Sequence, residues 1–578
     1  MPPNTNSELG RHPEKVIHQE QIDQLLSDLR SNRVIERIWQ KDESLWPQST
    51  LQPAPALGWL HVMDELLAAA DAIKQLVEDV CTENYSHVVL LGMGGASIAS
   101  EVLRTVFGVK QSHLSLIVLN SNDPLSVMRY SEQLDPRRTL FLLCSKSGYT
   151  VETTLLFRYF YHWVAASEGN AQAGEHFVAI TDPESETAAL ARALGFRMTF
   201  LSNPAISGHY SALSHFGMVP AALAGIDFVK LLQRASDAAA NCRQLGEEDR
   251  SAWLAALLVA FSQIGRDKIT FITSASLTHV GLWLEQLLAG SLGKAGVSIF
   301  PVEGEALLKP RYYRSDRLFF YLRMVGDSAL DAATEQLRSA GQPVIQLDVT
   351  HLSDLGAEFF HWQMACTIAS HLLEINPFVH PAVDATKAAV EQALKKGKSA
   401  APDTQAVFDL DNVNGNGNEV NANKVAEGLR RFLAPTLAAE PASESSPFIA
   451  ILSFLSPSEA VSEALDELRT QLQRRLRLAT SIGYNPRFLH STSELHLDGA
   501  GQGRFIQLTA NPTTDVEIPT ISTADSQPFS LSQLIRAQVD VNWQMLRQRN
   551  RAVIRIHLGD NVVEGLQQLI EILRDWEI

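Results

Sequence analysis

The chain has 578 residues, 45% of them hydrophobic and 20% charged, an ordinary globular composition that excludes a fully disordered or collagen-like chain. Lys and Arg number 48 against 65 Asp and Glu, and the net charge of −17 excludes a dedicated nucleic-acid binder, whose affinity comes from neutralising phosphates, while leaving room for one local anion pocket. The length admits two to four domains with a core that needs no disulfide or metal staple.

The start, MPPNTNSELGRHPEK, is polar and predicts no signal peptide, and no stretch reaches ~18 uninterrupted apolar residues, so no membrane span is expected. Cys81, Cys144, Cys242 and Cys366 are scattered, with no CxxC or Cys/His ligand spacing. That pattern predicts no metal and suits a reducing cytoplasm. Residues 1–85 read as an N-terminal helical segment with a Pro-rich break over 42–55, followed by helical spacing over Leu57–Val80.

From His87 the pattern changes. The apolar run His87–Leu91 ends in GMGGAS (Gly92–Ser97) and a helical stretch; further strands are predicted at Leu114–Leu119, Thr139–Cys144, which ends in SKSGYT (Ser145–Thr150), and Phe177–Thr181. Strands alternating with helices predict a doubly wound parallel sheet, whose ligands sit at the carboxyl ends of strands, where both loops lie. This first α/β domain spans 86–235. A second, 236–395, carries strands at Lys268–Thr273, Leu318–Met324 and Val344–Asp348 and helices at Glu358–Glu374 and Ala382–Lys395; its strand, small-residue turn and helix suggest a duplication of the first. Residues 396–446 are expected to be a flexible linker, on the strength of the Asn- and Gly-rich NGNGNE. A C-terminal α/β module, 447–578, has strands at Phe448–Phe454, Phe505–Thr509 and Ala552–Leu558 and helices at Ser458–Leu476 and Leu531–Gln548.

GMGGAS can bring backbone N–H groups close to an anion, or can simply be a tight turn. It is neither a Walker A loop nor a clean GxGxxG, so no dinucleotide cofactor is expected. SKSGYT places three hydroxyls between a buried strand and a helix, where they can wrap one phosphate or serve as an over-polar cap.

GMGGAS followed about fifty residues later by SKSGYTVET resembles sugar isomerase (SIS) domains, and more specifically the glucose-6-phosphate isomerase family. SGHYSALSHFGMVPAALAGID (207–227), WLEQLLAGSLGKAG (283–296), INPFVHPAVDATK (375–387) and GYNPRFLHSTSELH (483–496) are similar to that family's motifs, the last two most of all to the isomerase half of bifunctional transaldolase/glucose-6-phosphate isomerases. The resemblance implies two SIS-like domains with the site between them, in a cytoplasmic homodimer of glycolysis and gluconeogenesis whose partner subunit helps complete the site. It also implies a phosphorylated sugar as ligand and interconversion of glucose 6-phosphate and fructose 6-phosphate through an enediolate. By motif it assigns phosphate binding to Ser145, Lys146, Ser147 and Thr150, approach to the sugar to Gly94 and Gly95, and ring opening to Lys387 and His490.

Two positions depart from the family where the chemistry is done. Gly290 stands where the motif has the base glutamate, and His209 where it has the arginine that steadies the enediolate. Ala96, Tyr149, Val379–His380 and Ser493–Glu494 also differ from the motifs, and Glu303, Glu305 and Glu494 are open as a displaced base. Loss of a general base alone costs about 10²–10⁴ in rate. A weak isomerase and a lapsed phosphosugar-binding sensor or partner subunit are therefore both open. A glycine at 290 implies room for a restored carboxylate.

Overall fold

The computed structural model describes residues 18–48, 56–396, 407–410, 418–437, 446–520 and 529–576. Three parallel sheets carry the chain. The first contains β1 (His87–Gly92), β2 (Ser115–Leu119), β3 (Thr139–Cys144), β4 (Phe177–Thr181) and β5 (Met198–Leu201), in the order β2-β1-β3-β4-β5. The second contains β6 (Lys268–Thr273), β7 (Phe300–Val302), β8 (Arg317–Met324) and β9 (Val344–Val349), in the order β7-β6-β8-β9. The third contains β10 (Val407–Asp409), β11 (Phe448–Ser453), β12 (Ala479–Tyr484), β13 (Gly503–Thr509) and β16 (Ala552–His557), in the order β10-β16-β13-β11-β12. A short antiparallel pair, β14 (Glu517–Ile518) and β15 (Phe529–Ser530), lies apart.

All three sheets share one winding: the first strand lies between the second and the third, and the fourth lies outside the third, counting the third sheet from β11. The duplication suggested by the sequence is thus a threefold repeat of one topology, with the C-terminal module as its third copy. The strands read from apolar runs are present. Those not foreseen are short or poor in apolar residues: β5 is a four-residue strand exposed on two positions, β7 is Phe-Pro-Val, and β12 is ATSIGY. The expected linker also differs. Within 396–446 the chain forms β10, paired with β16, and a helix over Asn418–Leu437 whose Val425, Leu429 and Leu433 are buried in the third domain's core. Its apolar residues recur at helical spacing, a signal outweighed in sequence by the neighbouring NGNGNE; residues 397–406 and 411–417 lie outside the described residues, as do 49–55 of the Pro-rich break.

One continuous core underlies the first and second domains, with Trp59, Tyr210, Phe360 and Trp362 buried at its centre. The third domain has its own core and joins the second by Phe300 stacked on Phe448, ring centroids 4.0 Å apart. Beside that stack Arg317, fully buried, forks onto Glu305 at 2.8 and 3.1 Å, and Glu305 accepts the Thr480 amide from β12. Arg317→Met should destabilise the protein by about 3–5 kcal/mol, because it strands a buried carboxylate. Arg317→Met combined with Glu305→Leu should recover most of that loss; urea unfolding of the three proteins checks it.

Candidate functional site

β3 ends at Cys144, and Ser145–Thr150 turns into the Val151–Glu168 helix. Gly148 sits at φ +80°, with a would-be Cβ 3.0 Å from the Glu186 amide nitrogen, so only glycine makes this turn without strain. The Ser145 hydroxyl is buried without a hydrogen-bond partner. Thr150 is the helix N-cap, yet its side chain accepts no amide, and Ser147 is exposed with one 3.4 Å contact from the Tyr149 amide. The three hydroxyls are not consumed in capping, which leaves them to a ligand at the helix start, where the dipole favours an anion. The Lys146 ammonium is already partnered: it pairs with Asp182 and donates to the Pro204 carbonyl at 3.2 Å.

The loop after β1 packs against the third domain. Gly94 has φ +59°, and a Cβ there would lie 3.0 Å from His490 Cβ. His490, on the short Arg487–Ser491 helix after β12, brings Nε2 to 3.1 Å from Glu152 Oε1. Burial opposes charge on Glu152, but the charge and hydrogen bond of His490 hold its carboxyl below the ordinary range. Gln538 Nε2 donates to the same oxygen at 2.7 Å, and Gln538 Oε1 accepts from Asn122 and Asn485, each at 2.8 Å. Lys387, on the Pro381–Lys396 helix, is exposed, and its positive charge is felt by both Glu152 and His380. At Gly95 a Cβ would meet the Gly208 carbonyl at 1.9 Å, so this glycine lets two backbones meet.

Gly208 leads into His209, and here the two missing groups of the motif meet. A Cβ at Gly290 would stand 3.3 Å from His209 Cδ2 and 3.6 Å from His380 Cε1. The two imidazoles pack edge to face, centroids 4.5 Å apart, and Ser207 Oγ lies 3.1 Å from His209 Nδ1 and 3.4 Å from His380 Nε2. Burial first, then the positive charge of Lys294, holds both rings well below the ordinary histidine range, so both are neutral near pH 7. The room expected beside Gly290 is therefore already filled by imidazole.

None of the three carboxylates open as a displaced base supplies one of the three nearest atoms to a Cβ at Gly290. Glu305 is locked to Arg317. Glu303 lies against Gly281, its carboxylate 2.9 Å from a would-be Cβ there, and its charge reaches Glu285. Glu494 accepts the Ala382 and Val383 amides at 3.4 and 3.1 Å, which caps the helix that carries Lys387. Burial raises Glu494 and lowers Lys294, and Lys294 donates to the Val379 carbonyl at 2.6 Å. The pairing of His209 with His380 and the Gln538–Asn122–Asn485 network were not legible as sites, since their members are far apart in sequence and share no motif.

Among the described residues no group of three or more His, Cys, Asp or Glu is placed to hold a metal, and no helix is long and apolar enough to cross a membrane. The family model for phosphoglucose isomerase matches residues 58–299. The chain is 27% identical over 393 residues to a glucose-6-phosphate isomerase of Thermus thermophilus, covering 59% of this chain and 91% of that one. It is 22% identical over 437 residues to that of Mycoplasmopsis pulmonis, covering 66% and 98%. Among solved structures it is similar to a hypothetical protein of Thermus thermophilus, at TM-score 0.57 and 24% identity over 65% of this chain and 98% of that one. It is also similar to a glucose-6-phosphate isomerase of Chlamydia trachomatis, at TM-score 0.56 and 15% identity over 72% and 90%.

Two outcomes test this packing. Gly290→Glu should destabilise the protein by about 1–3 kcal/mol, because the new side chain overpacks His209. The cost should shrink when His209→Ala empties the ring's place, as expected for contacting residues; urea midpoints of the single and double variants measure it. Glu285 is pushed up to about 8 by burial and then by Glu303, so the folded chain holds a proton that the unfolded chain releases. Its favourable effect on folding is complete below its ordinary value of 4.5 and is lost as pH rises through about 8. Relative to Glu285→Gln, the wild type should therefore lose up to about 1.4 kcal/mol per pH unit across that window, read by unfolding at pH 5 and pH 8.

Proposed function

We propose that this chain, a member of the phosphoglucose isomerase family, binds a sugar 6-phosphate at the first sheet's carboxyl edge, opens its ring, and isomerises it only slowly. The observation that carries the reading is the loop Ser145–Thr150, whose three hydroxyls remain uncommitted to capping at the start of a long helix. Lys387, whose charge is felt by Glu152, and the His490–Glu152 pair would supply the acid and the base needed to move protons between a ring oxygen and a hydroxyl, which supports the ring-opening part of the reading. The interconversion of glucose 6-phosphate and fructose 6-phosphate is the family's reaction, and the names of the similar proteins support it for this chain.

The slow rate follows from Gly290 and His209, which bring no carboxylate and no permanent cation to the carbon that must be deprotonated. The second reading, a phosphosugar-binding sensor or partner subunit that has lost catalysis, rests on that same pair of positions. Under either reading the protein works in the cytoplasm as a homodimer, with His490 supplied in cis by the third domain.

6-Phosphogluconate at millimolar concentration should raise the melting temperature, since a ligand that binds only the native state adds RT ln(1 + [L]/Kd) to stability. Ser147→Ala/Thr150→Ala should abolish most of that shift. An equal shift in the double variant would place the phosphate elsewhere.

A further inference from the structure

We propose that His380 is the base that replaces the missing glutamate, taking the proton from C2 of the open-chain sugar phosphate. The inference rests on the sugar-phosphate reading above and names the residue that performs its slow step.

Three observations carry it. The first is place: His380 Cε1 stands 3.6 Å from where a Cβ of residue 290 would be, in van der Waals contact with the position where the motif has its glutamate. The second is orientation. Ser207 Oγ lies between the two rings, 3.4 Å from His380 Nε2 and 3.1 Å from His209 Nδ1. Both contacts are satisfied together when His380 Nε2–H donates to Ser207 and the Ser207 hydroxyl donates to His209 Nδ1. This relay leaves the lone pair on His380 Nδ1, an atom that makes no hydrogen bond among the described residues, and His380 keeps part of its surface open. The third is company: His380 opens the segment that continues into the helix of Lys387, and the positive charge of Lys387 reaches its ring. The groups that face His380 are Lys294, His209 and Lys387; burial first and then these groups hold the imidazole neutral at pH 7 and also weaken it as a base, in keeping with a slow step.

The step balances without any co-reactant. Nδ1 takes the C2 proton; the C–H electron pair becomes the C1–C2 double bond, and the carbonyl pair moves onto O1. O1 gains a proton and O2 loses one, the histidine returns its proton to C1, and C2–O2 becomes the new carbonyl. Lys387 is the exposed cation whose charge reaches the ring, and Ser207 is a positioning residue that fixes the tautomer.

The test uses full-length protein purified from a host lacking its own glucose-6-phosphate isomerase, with proton NMR in D2O following deuterium at C2 of glucose 6-phosphate and the appearance of fructose 6-phosphate. Wild type should exchange and convert slowly. His380→Gln should lower kcat by at least about 100-fold, the contribution of a general base, while 6-phosphogluconate still raises its melting temperature. Ser207→Ala should lower kcat with KM unchanged, a split that simple loosening of the pocket would not produce. An unchanged rate in His380→Gln overturns the assignment. A wild type that binds 6-phosphogluconate but exchanges no C2 proton also overturns it and leaves the sugar-phosphate reading standing. A wild type that 6-phosphogluconate fails to stabilise overturns both. If His380→Gln does not fold, His380→Asn serves the same comparison.

Discussion

The hydrogen bond between Glu152 and His490 joins residues 338 positions apart and sets where the third domain must lie. Glu152 opens the helix behind the phosphate-type loop of the first domain, and His490 comes from the turn after β12 of the third. A carboxylate this buried is costly unless its partners are placed, and here they are: His490 and Gln538 donate to it, and Asn122 and Asn485 hold Gln538 in turn. These side chains come from separate elements and loops of the two domains, so the network can be satisfied only in one docking of the pair. The same docking lays His490 over Gly94, where only a residue without Cβ leaves room.

That constraint gives the threefold repeat a division of labour. The first sheet carries the loops Gly92–Ser97 and Ser145–Thr150 at its switch point. The second sets the helix of Gly290 against His209 and His380, with the charge of Lys294 felt by both rings. The third uses its own switch point differently: Ser456, just after β11, donates to Asp123 at 2.5 Å and so fastens the third domain to the first. One winding thus takes different parts in the structure, according to which loops its strands carry. The Arg317–Glu305 pair and the Phe300–Phe448 stack hold the opposite side of the third domain against the second, so His490 is positioned from two directions.

Much of this was legible in the sequence, for physical reasons that also explain what was not. The strands β1, β3, β6 and β11 are apolar runs buried along most or all of their length, and such runs announce themselves. The SKSGYT loop was legible because hydroxyls and a glycine at a strand-to-helix junction have a mechanical meaning by themselves, and LHST located His490. Edge strands such as β5 and β10 give no comparable signal, because their stability comes from the neighbour they pair with. The commitment of Lys146 to Asp182 could not be read, since the acid lies on the loop after β4. The partners of Glu152, His490 and Gln538, lie far along the chain and share no motif with it.

The substitutions around Gly290 make sense only together. A glutamate at 290 would meet His209 within 3.3 Å of its Cβ, and an arginine at 209 would need more room than the imidazole takes; the two changes from the motif belong to one repacked centre. His380 completes the packing by setting its ring against His209, and Ser207 satisfies one nitrogen of each ring, so imidazole fills the space beside Gly290 that a charged pair would have occupied. The carboxylate at 494 fits the same pattern. The Val379 side chain is apolar, its carbonyl binds Lys294, and Glu494 supplies the nearby negative charge while capping the helix of Lys387. Neutral imidazoles in place of a carboxylate and a guanidinium leave Lys387 as the cation acting on His380 that is not itself buried.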